Sequence, residues 1–238
     1  MDNNKSKVSI IIPVFNGAKT IKQTVDSILL DTYSEKEIIV VNDGSTDDTL
    51  ETLALYQDRI VVVNKKNGGV SSARNAGIDV ATGKYIMFVD GDDCCACDYV
   101  SRATKAIETS NADITIFGFR RITDSKHYED FTYNPIIFNG EDVANNIEFI
   151  MQNGMSSPWN KIYNSEIIKT HNIRFDEQLP LGEDLNFNMK CLFKASSVQY
   201  ISDILYFYHA DNSIATKKYR EDLYEKRRNA LDKMNMLF

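Results

Sequence analysis

Three aspartates crowd the chain directly after an apolar run, and their type and spacing suit cation chemistry. Asp90, Asp92 and Asp93 surround Gly91 and follow the segment Tyr85–Val89. Carboxylates on a tight turn at the end of a strand suit a hard divalent cation that keeps several positions open for phosphate oxygens. A turn-and-cap role is the competing interpretation, because Asp and Gly are common after any strand. The cluster by itself leaves both interpretations open.

Other polar residues follow apolar runs in the same way, and the runs must position them. Strands are predicted at Val8–Pro13, Glu37–Val41, Ile60–Val63 and Lys84–Val89. The polar groups that follow them are Asn16, Asn42-Asp43-Gly44, Asn64 to Gly69, and Asp90 to Asp93. β-branched runs that alternate with amphipathic stretches predict βαβ units and a parallel sheet covered on both faces. The carboxyl ends of such strands share one edge, where ligands bind.

The remaining elements are predicted from periodicity. Helices are predicted at Lys19–Leu30, Asp47–Tyr56, Ser71–Val80, Tyr99–Ser110, Gly140–Gln152, Ser165–His171 and Asp184–Ala195. Further strands are predicted at Asp113–Phe119, Val198–Ile201 and Ile204–His209, and a loop or hairpin at 120–138. The tail from Lys217 to Phe238 has apolar residues at helical spacing, which predicts a docking helix.

Composition limits the classes of function. The chain has 238 residues and a net charge of −7, so it lacks the basic field that a nucleic-acid partner requires. An acidic protein that handles a diphosphate needs local positive charge, which favours a bound divalent cation. The apolar stretch Val8–Phe15 is too short for a membrane span and has no cleavage site after it. Four cysteines without a secretory signal indicate reduced thiols in a cytoplasmic protein.

Four ordered blocks closely resemble the signature series of the family 2 glycosyltransferases. They are Val8–Asn16, Glu37–Asp47, Asn67–Gly77 and Phe88–Asp93, and two later blocks, Pro158–Tyr163 and Gly182–Leu185, resemble the bacterial polysaccharide-synthesising members. The resemblance implies an α/β GT-A fold, with a mostly parallel central sheet flanked by helices and a smaller C-terminal acceptor-side region. It implies a nucleotide-sugar-binding half at 1–97, an acceptor-binding half of the same domain at 98–216, and a C-terminal amphipathic helix at 217–238.

The resemblance also assigns a donor site. Asp43 would accept a hydrogen bond from the imide N–H of uracil, Phe15 would stack on the base, and Arg74 would reach the nucleotide. Their structural alternatives are a turn residue, a core aromatic, and an exposed residue or a salt bridge to the acidic cluster. The implied donor-binding residues are Pro13, Phe15, Asn16, Asp43, Asn67, Gly69, Arg74 and Asp90.

Catalytic roles follow from the same resemblance. Asp92 is expected to be the principal ligand of Mn²⁺ or Mg²⁺, with Asp90 on the ribose or the metal, and Asp93 is expected to cap the following segment. The cation would stabilise charge on the departing nucleoside diphosphate. Asp184 matches the family's catalytic base, with Glu183 as the fallback, although a helix-capping carboxylate is the structural alternative. A single displacement by this arrangement inverts the anomeric configuration.

The acceptor side is less defined. Trp159, the only tryptophan, is expected either to form a platform for an acceptor sugar or to belong to the core. The resemblance favours a UDP-sugar donor and a saccharide or lipid-linked saccharide acceptor in cell-surface polysaccharide synthesis. The basic tail suggests peripheral contact with the inner membrane face or a homodimer through the C-terminal helix.

The residues leave two other functions open. A nucleotidyltransferase acting on sugar phosphates also uses an α/β sheet and metal-binding carboxylates, but it usually has a basic phosphate loop after the first strand. Here Pro13–Gly17 contains no Lys or Arg. A catalytically silent nucleotide-binding or assembly module is the second alternative, and chemically competent residues at every candidate position argue against it.

Overall fold

The computed structural model describes residues 5–124 and 126–210. Its strands are β1 Val8–Val14, β2 Lys36–Asn42, β3 Val61–Asn64, β4 Tyr85–Phe88, β5 Cys94–Cys95, β6 Ile114–Ile122, β7 Tyr128–Phe131, β8 Ile136–Asn139, β9 Lys161–Asn164 and β10 Ser197–His209. Its helices are α1 Ile21–Leu29, α2 Thr49–Ala54, α3 Val70–Val80, α4 Tyr99–Ser110, α5 Glu141–Asn145, α6 Ile147–Gln152, α7 Ser165–Thr170 and α8 Glu183–Leu192, with a short 3₁₀ turn at Gln57–Arg59.

All the described strands belong to one mixed sheet with the main order β3-β2-β1-β4-β9-β6-β10-β5. The first four are parallel, and β9 pairs antiparallel with both β4 and β6. The second and third strands lie on one side of β1 and β4 lies on the other. The winding direction therefore reverses at the carboxyl ends of β1 and β4, which is where open α/β sheets bind ligands.

The core has two layers because alternate residues of a strand face opposite sides of the sheet. In β1, Ile10 and Ile12 pack toward α1 and α4, whereas Ile11 packs toward α3 and α8. All seven residues of this strand are buried, as expected for a central strand covered on both faces.

Helix α3 lies very close to β1. A Cβ atom added to Gly77 would be 2.3 Å from Cγ2 of Ile11, so no larger residue fits without displacing the helix. The helix begins after Gly69, whose φ of +87° favours glycine. This close contact fixes the first turns of α3 at the carboxyl edge of the sheet, where they reach the candidate site.

The predicted strands and helices of the first half are confirmed to within a few residues at each end. The single helix predicted at Gly140–Gln152 is wrong, because the chain forms two short helices that meet at Asn146. The Asn146 side chain donates to the Asp142 carbonyl oxygen at 2.9 Å, the kind of local bond that competes with a continuous helix. The two strands predicted near the end form one strand with register shifts between Tyr200 and Tyr206.

Two strands, β5 and β9, lie where none was predicted, and one prediction lies outside the described residues. Lys161–Asn164 forms β9, which joins the two halves of the sheet. The tail at 217–238, with the membrane or homodimer contact assigned to it, lies beyond the described residues. Among the residues that are described, no helix combines the length and apolar character needed to cross a bilayer.

Candidate active site

A cleft of about 300 Å³ opens where β1 and β2 end and α3 begins. It is lined by Pro13, Val14, Phe15, Asp43, Asn67, Gly69, Val70 and Ala73. Phe15 is 50% exposed, so its ring is available to a ligand and is not a core residue. Five of the residues singled out as donor-binding thus share one cavity, although their contact with a donor stays a prediction.

Asp43 is the polar centre of this cleft. Its side chain is buried and accepts hydrogen bonds from the backbone amides of Gly68 and Gly69, the latter at 2.8 Å. The Lys65 ammonium also donates to it at 2.7 Å. These donors hold the carboxylate in a fixed orientation at the start of α3 and balance its charge.

Asn16 joins two loops at the same edge. Its backbone N–H donates to Ser45 Oγ at 2.9 Å, and its side-chain oxygen accepts from the Thr46 amide at 2.8 Å. Its φ of +51° is a left-handed conformation that Asn tolerates better than most residues. Asn16 therefore sets the shape of the cleft entrance, and a direct contact with a donor stays a prediction.

Arg74 connects the two groups of carboxylates. Its guanidinium donates through Nη1 to Asp184 at 2.5 Å and through Nη2 to Asp90 at 2.8 Å. The Arg74 side chain is only 3% exposed, whereas Asp90 and Asp184 are 28% and 24% exposed. The salt bridge considered for Arg74 from the sequence is present, and it brings the end of β4 and the first turn of α8 together.

The local electrostatics favour proton exchange near neutral pH. Burial raises the pKa of Asp92 to about 6, and the Asp90 carboxylate acts in the same direction. Burial also raises the pKa of Asp184, with Glu183 and Asp90 adding to the effect and Arg74 opposing it. A carboxylate with a raised pKa is a stronger base than an ordinary aspartate, which suits a proton acceptor.

The carboxylates of Asp90 and Asp92 fit a divalent cation that substrate phosphates help to coordinate. Mg²⁺ is usually held by one or two protein carboxylates, with phosphate and water oxygens completing its shell. In the two described stretches, no group of three or more ligating side chains is placed to enclose a metal by itself. A cation here would therefore rely on oxygens from a bound substrate, and Asp92 and Asp90 as its ligands stay a prediction.

The capping role expected of Asp93 is wrong. Its two carboxylate oxygens accept from the Tyr206 hydroxyl and from the His209 amide, both at 2.7 Å. Tyr206 also accepts from the Asp90 amide at 3.1 Å. Asp93 therefore connects the acidic turn, Asp90–Asp93, to β10. This long-range contact cannot be inferred from its neighbours in sequence.

Trp159 lies in an aromatic cluster and is 7% exposed. Its ring stacks on Tyr206 with centroids 4.5 Å apart, and Phe119 meets it edge-on at 4.8 Å. This is the position of a core residue, which was the alternative left open from the sequence. Contact between Trp159 and an acceptor stays a prediction.

Sequence reasoning missed several residues that shape the site. Lys65 pairs with Asp43, Tyr206 orients the acidic turn, and Asn75 and Phe175 support the segment that leads to Asp184. A basic residue directly after β3 is a signal that could have identified Lys65. The contacts of Tyr206 and Phe175 join residues about a hundred positions apart, so spacing gave no signal.

Comparisons with known proteins give a consistent result. Residues 9–171 match the family described as Glycosyl transferase family 2. The chain is 34% identical over 224 residues to the uncharacterized glycosyltransferase EpsJ of Bacillus subtilis (strain 168), covering 90% of this chain and 64% of EpsJ. It is 32% identical over 213 residues to the glycosyltransferase GlyA of Streptococcus pneumoniae serotype 4, covering 85% of this chain and 30% of GlyA.

Solved structures agree. The structure of S. aureus TarS 1-349 in complex with UDP-GlcNAc superposes with a TM-score of 0.79 at 26% identity, covering 94% of this chain and 65% of that one. The chain thus spans two thirds or less of the length of each of these three proteins.

Proposed function

Because this chain belongs to glycosyl transferase family 2 and has the GT-A fold, we propose that it transfers a sugar from a nucleoside diphosphate sugar to an acceptor hydroxyl. The observation that carries the proposal is the double ion pair of Arg74 with Asp90 and Asp184. One guanidinium binds both Asp90 and Asp184, which we propose as the carboxylate on the phosphate side and as the base.

The cleft beside Asp43, which we take as the nucleotide cleft, and the two carboxylates bound to Arg74 lie at neighbouring positions along α3. Gly69 donates its amide to Asp43 just before the helix, and Arg74 lies five positions further on. Five residues of α-helix rise about 7.5 Å, which is comparable to the distance from a nucleotide base to its phosphates. A donor with its base beside Asp43 would therefore present its diphosphate near Asp90 and Asp92.

We further propose that the donor is a UDP-sugar. The S. aureus TarS structure that this chain resembles is in complex with UDP-GlcNAc. Asp43 would accept the imide N–H of uracil, and the exposed Phe15 ring would stack on the base, with Asn67 and Gly69 bordering the cleft. The amides at the start of α3 favour the negative charge of the nucleotide.

Asp92, with Asp90 beside it, would hold Mn²⁺ or Mg²⁺ against the phosphates. Such a cation, when bound, neutralises charge on the departing nucleoside diphosphate. The protein's own part is to keep two carboxylates at the mouth of the sheet, and the bond from Arg74 orients Asp90 toward that position.

Asp184 would take the proton from the acceptor hydroxyl during a direct displacement, which inverts the anomeric configuration. Its place in the first turn of α8 lets the carboxylate face the Asp90 side of the cleft through Arg74. Glu183 precedes it and is the fallback base. For the acceptor we propose a saccharide, free or lipid-linked, as used in cell-surface polysaccharide synthesis at the inner membrane face.

Two experiments test the function. Calorimetric titration with nucleoside diphosphates and their sugars, in the presence of Mn²⁺, should give binding of uridine compounds and of no other base. Replacing Asp184→Asn should abolish transfer and leave donor binding nearly intact, because the neutral amide cannot accept the proton. Unchanged turnover would remove the base assignment.

Two outcomes would favour the alternative functions. Reaction of a nucleoside triphosphate with a sugar phosphate would favour a nucleotidyltransferase, and absence of nucleotide binding would favour a silent module.

A further inference from the structure

The segment that carries Asp184 is fastened to α3 by two adjacent residues, Arg74 and Asn75. We propose that Asn75 is a positioning residue for sugar transfer, which holds Phe175 so that the Phe175 ring and Arg74 together fix the Asp184 carboxylate. This inference rests on the proposed function, because it takes Asp184 as the base.

Asn75 binds both backbone groups of one residue. Its Oδ1 accepts from the Phe175 amide at 2.9 Å, and its Nδ2 donates to the Phe175 carbonyl oxygen at 3.0 Å. Nδ2 also donates to Glu177 Oε1 at 3.0 Å. Asn75 is 8% exposed, so these bonds are shielded from water. A primary amide of this length supplies the donor and the acceptor together, which Asp or Ala does not.

The Phe175 ring links Asn75 to the side chains that surround Asp184. It stacks on Phe187 with centroids 3.9 Å apart, and the Arg74 guanidinium lies over it at 5.1 Å. Phe187 lies three residues after Asp184 in α8, and residues at this spacing share a helix face. Phe175 therefore fills the space between α8 and the guanidinium that binds Asp184.

Other residues at the start of the same helix border the cleft in which the donor is proposed to bind. Gly69, Val70 and Ala73 line the nucleotide cleft, whereas Arg74 and Asn75 face the segment that leads to the base. Removing the Asn75 amide should therefore disturb the placement of Asp184 without removing a group that borders the donor cleft. A displacement of about 1 Å at a reacting group can lower a rate about 100-fold.

Asp79 offers a matched control on the same pair of elements. Arg174 donates to Asp79 at 2.9 Å, and the Asp79 side chain is 60% exposed. Asp79→Asn weakens a tether between α3 and the segment before α8, just as an Asn75 variant does, but it leaves Phe175, Arg74 and Asp184 untouched. Because an exposed ion pair contributes little to stability, the Tm of each variant is measured beside its kcat, so that losses of kcat are compared at known stability.

The experiment compares wild type, Asn75→Ala, Asn75→Asp and Asp79→Asn by kcat, donor KM, donor Kd and Tm. We expect the Asn75 variants to lose about 10- to 100-fold in kcat with donor Kd within about twofold, and Asp79→Asn to keep the kcat of wild type. Asn75→Asp keeps the acceptor for the Phe175 amide but sets a carboxylate against Glu177 and the Phe175 carbonyl oxygen. Asn75→Ala adds no charge and is therefore the variant expected to stay folded, which the Tm checks.

The outcomes separate the inference from the function on which it rests. A wild-type protein that transfers sugar while Asn75→Ala keeps full kcat would overturn the role of Asn75, as would an equal loss of kcat in Asp79→Asn. A wild-type protein that transfers no sugar would refute the proposed function instead. In that case the crystal structure of Asn75→Ala decides the inference: a shifted Asp184 carboxylate supports it, and an unchanged Arg74–Asp184 contact overturns it.

Discussion

The acidic turn should make the stability of this protein depend on pH in an unusual direction. Burial raises the pKa of Asp92 from 3.8 to about 6, and the Asp90 carboxylate adds to this. A carboxyl whose folded-state pKa is raised contributes stability in its protonated form. That stability is fully present below about pH 4 and is lost as the pH rises through about 6.

The magnitude follows from the size of the shift. A rise from 3.8 to about 6 is roughly two units, and each unit corresponds to about 1.4 kcal/mol. Asp92 should therefore lower the free energy of unfolding by about 2 to 3 kcal/mol between pH 4 and pH 7. Asn, which cannot ionise, should relieve this penalty.

The assay is urea denaturation of wild type and Asp92→Asn at several values between pH 4 and pH 7 without divalent cations. The difference in free energy of unfolding cancels contributions that both proteins share. It retains the effect of the Asp92 charge on Asp93, whose pKa Asp92 helps to raise, and this effect has the same sign as that of Asp92 itself. The variant should become more stable than wild type by about 2 to 3 kcal/mol at pH 7. Millimolar Mn²⁺ should then stabilise wild type and not the variant, because binding to the folded state adds to its stability.

Asp130 provides the control with the opposite sign. The hydrogen bond from Arg120 lowers the pKa of Asp130. Its contribution is therefore fully present above its unfolded pKa of 3.8 and is lost only as the pH falls below that value, so the difference between wild type and Asp130→Asn should stay nearly flat from pH 4 to pH 7. A difference between wild type and Asp92→Asn that stays flat from pH 4 to pH 7 would refute the reasoning about the buried acidic turn.

Three further outcomes are expected. Gly77→Ala should destabilise the fold by about 1 to 3 kcal/mol in urea denaturation, because the new methyl group overlaps β1; a stability equal to wild type would contradict the close packing of α3. Arg74→Met should lower the free energy of unfolding by about 3 kcal/mol, because it leaves Asp90 and Asp184 without the guanidinium that binds both. The loss should be smaller when Asp184→Asn is already present, and additive effects of the two changes would argue against a direct pair. Lys161→Met should destabilise the protein, because the fully buried ammonium donates to the Gly154 and Ser157 carbonyl oxygens; an unchanged Tm would show that these bonds are dispensable.

The sequence predicted the parallel half of the sheet well because its information is local. Runs of β-branched residues, separated by amphipathic helices, identified β1 to β4 and the edge at which the polar residues meet. It failed at Lys161–Asn164, where a short strand carries no periodic signal and becomes a strand only because β4 and β6 offer it partners. The break at Asn146 was missed for a similar reason, since one side-chain bond decides it.

By itself, the sequence determined which residues could do the chemistry, because residue type fixes what a side chain can accept, donate or ionise. Only the tertiary structure decided which of them meet. It put Arg74 between Asp90 and Asp184, turned Asp93 toward Tyr206, and enclosed Trp159 among aromatic rings. These contacts join residues far apart in the chain, and no local spacing encodes them, because they arise when separate elements pack against one sheet.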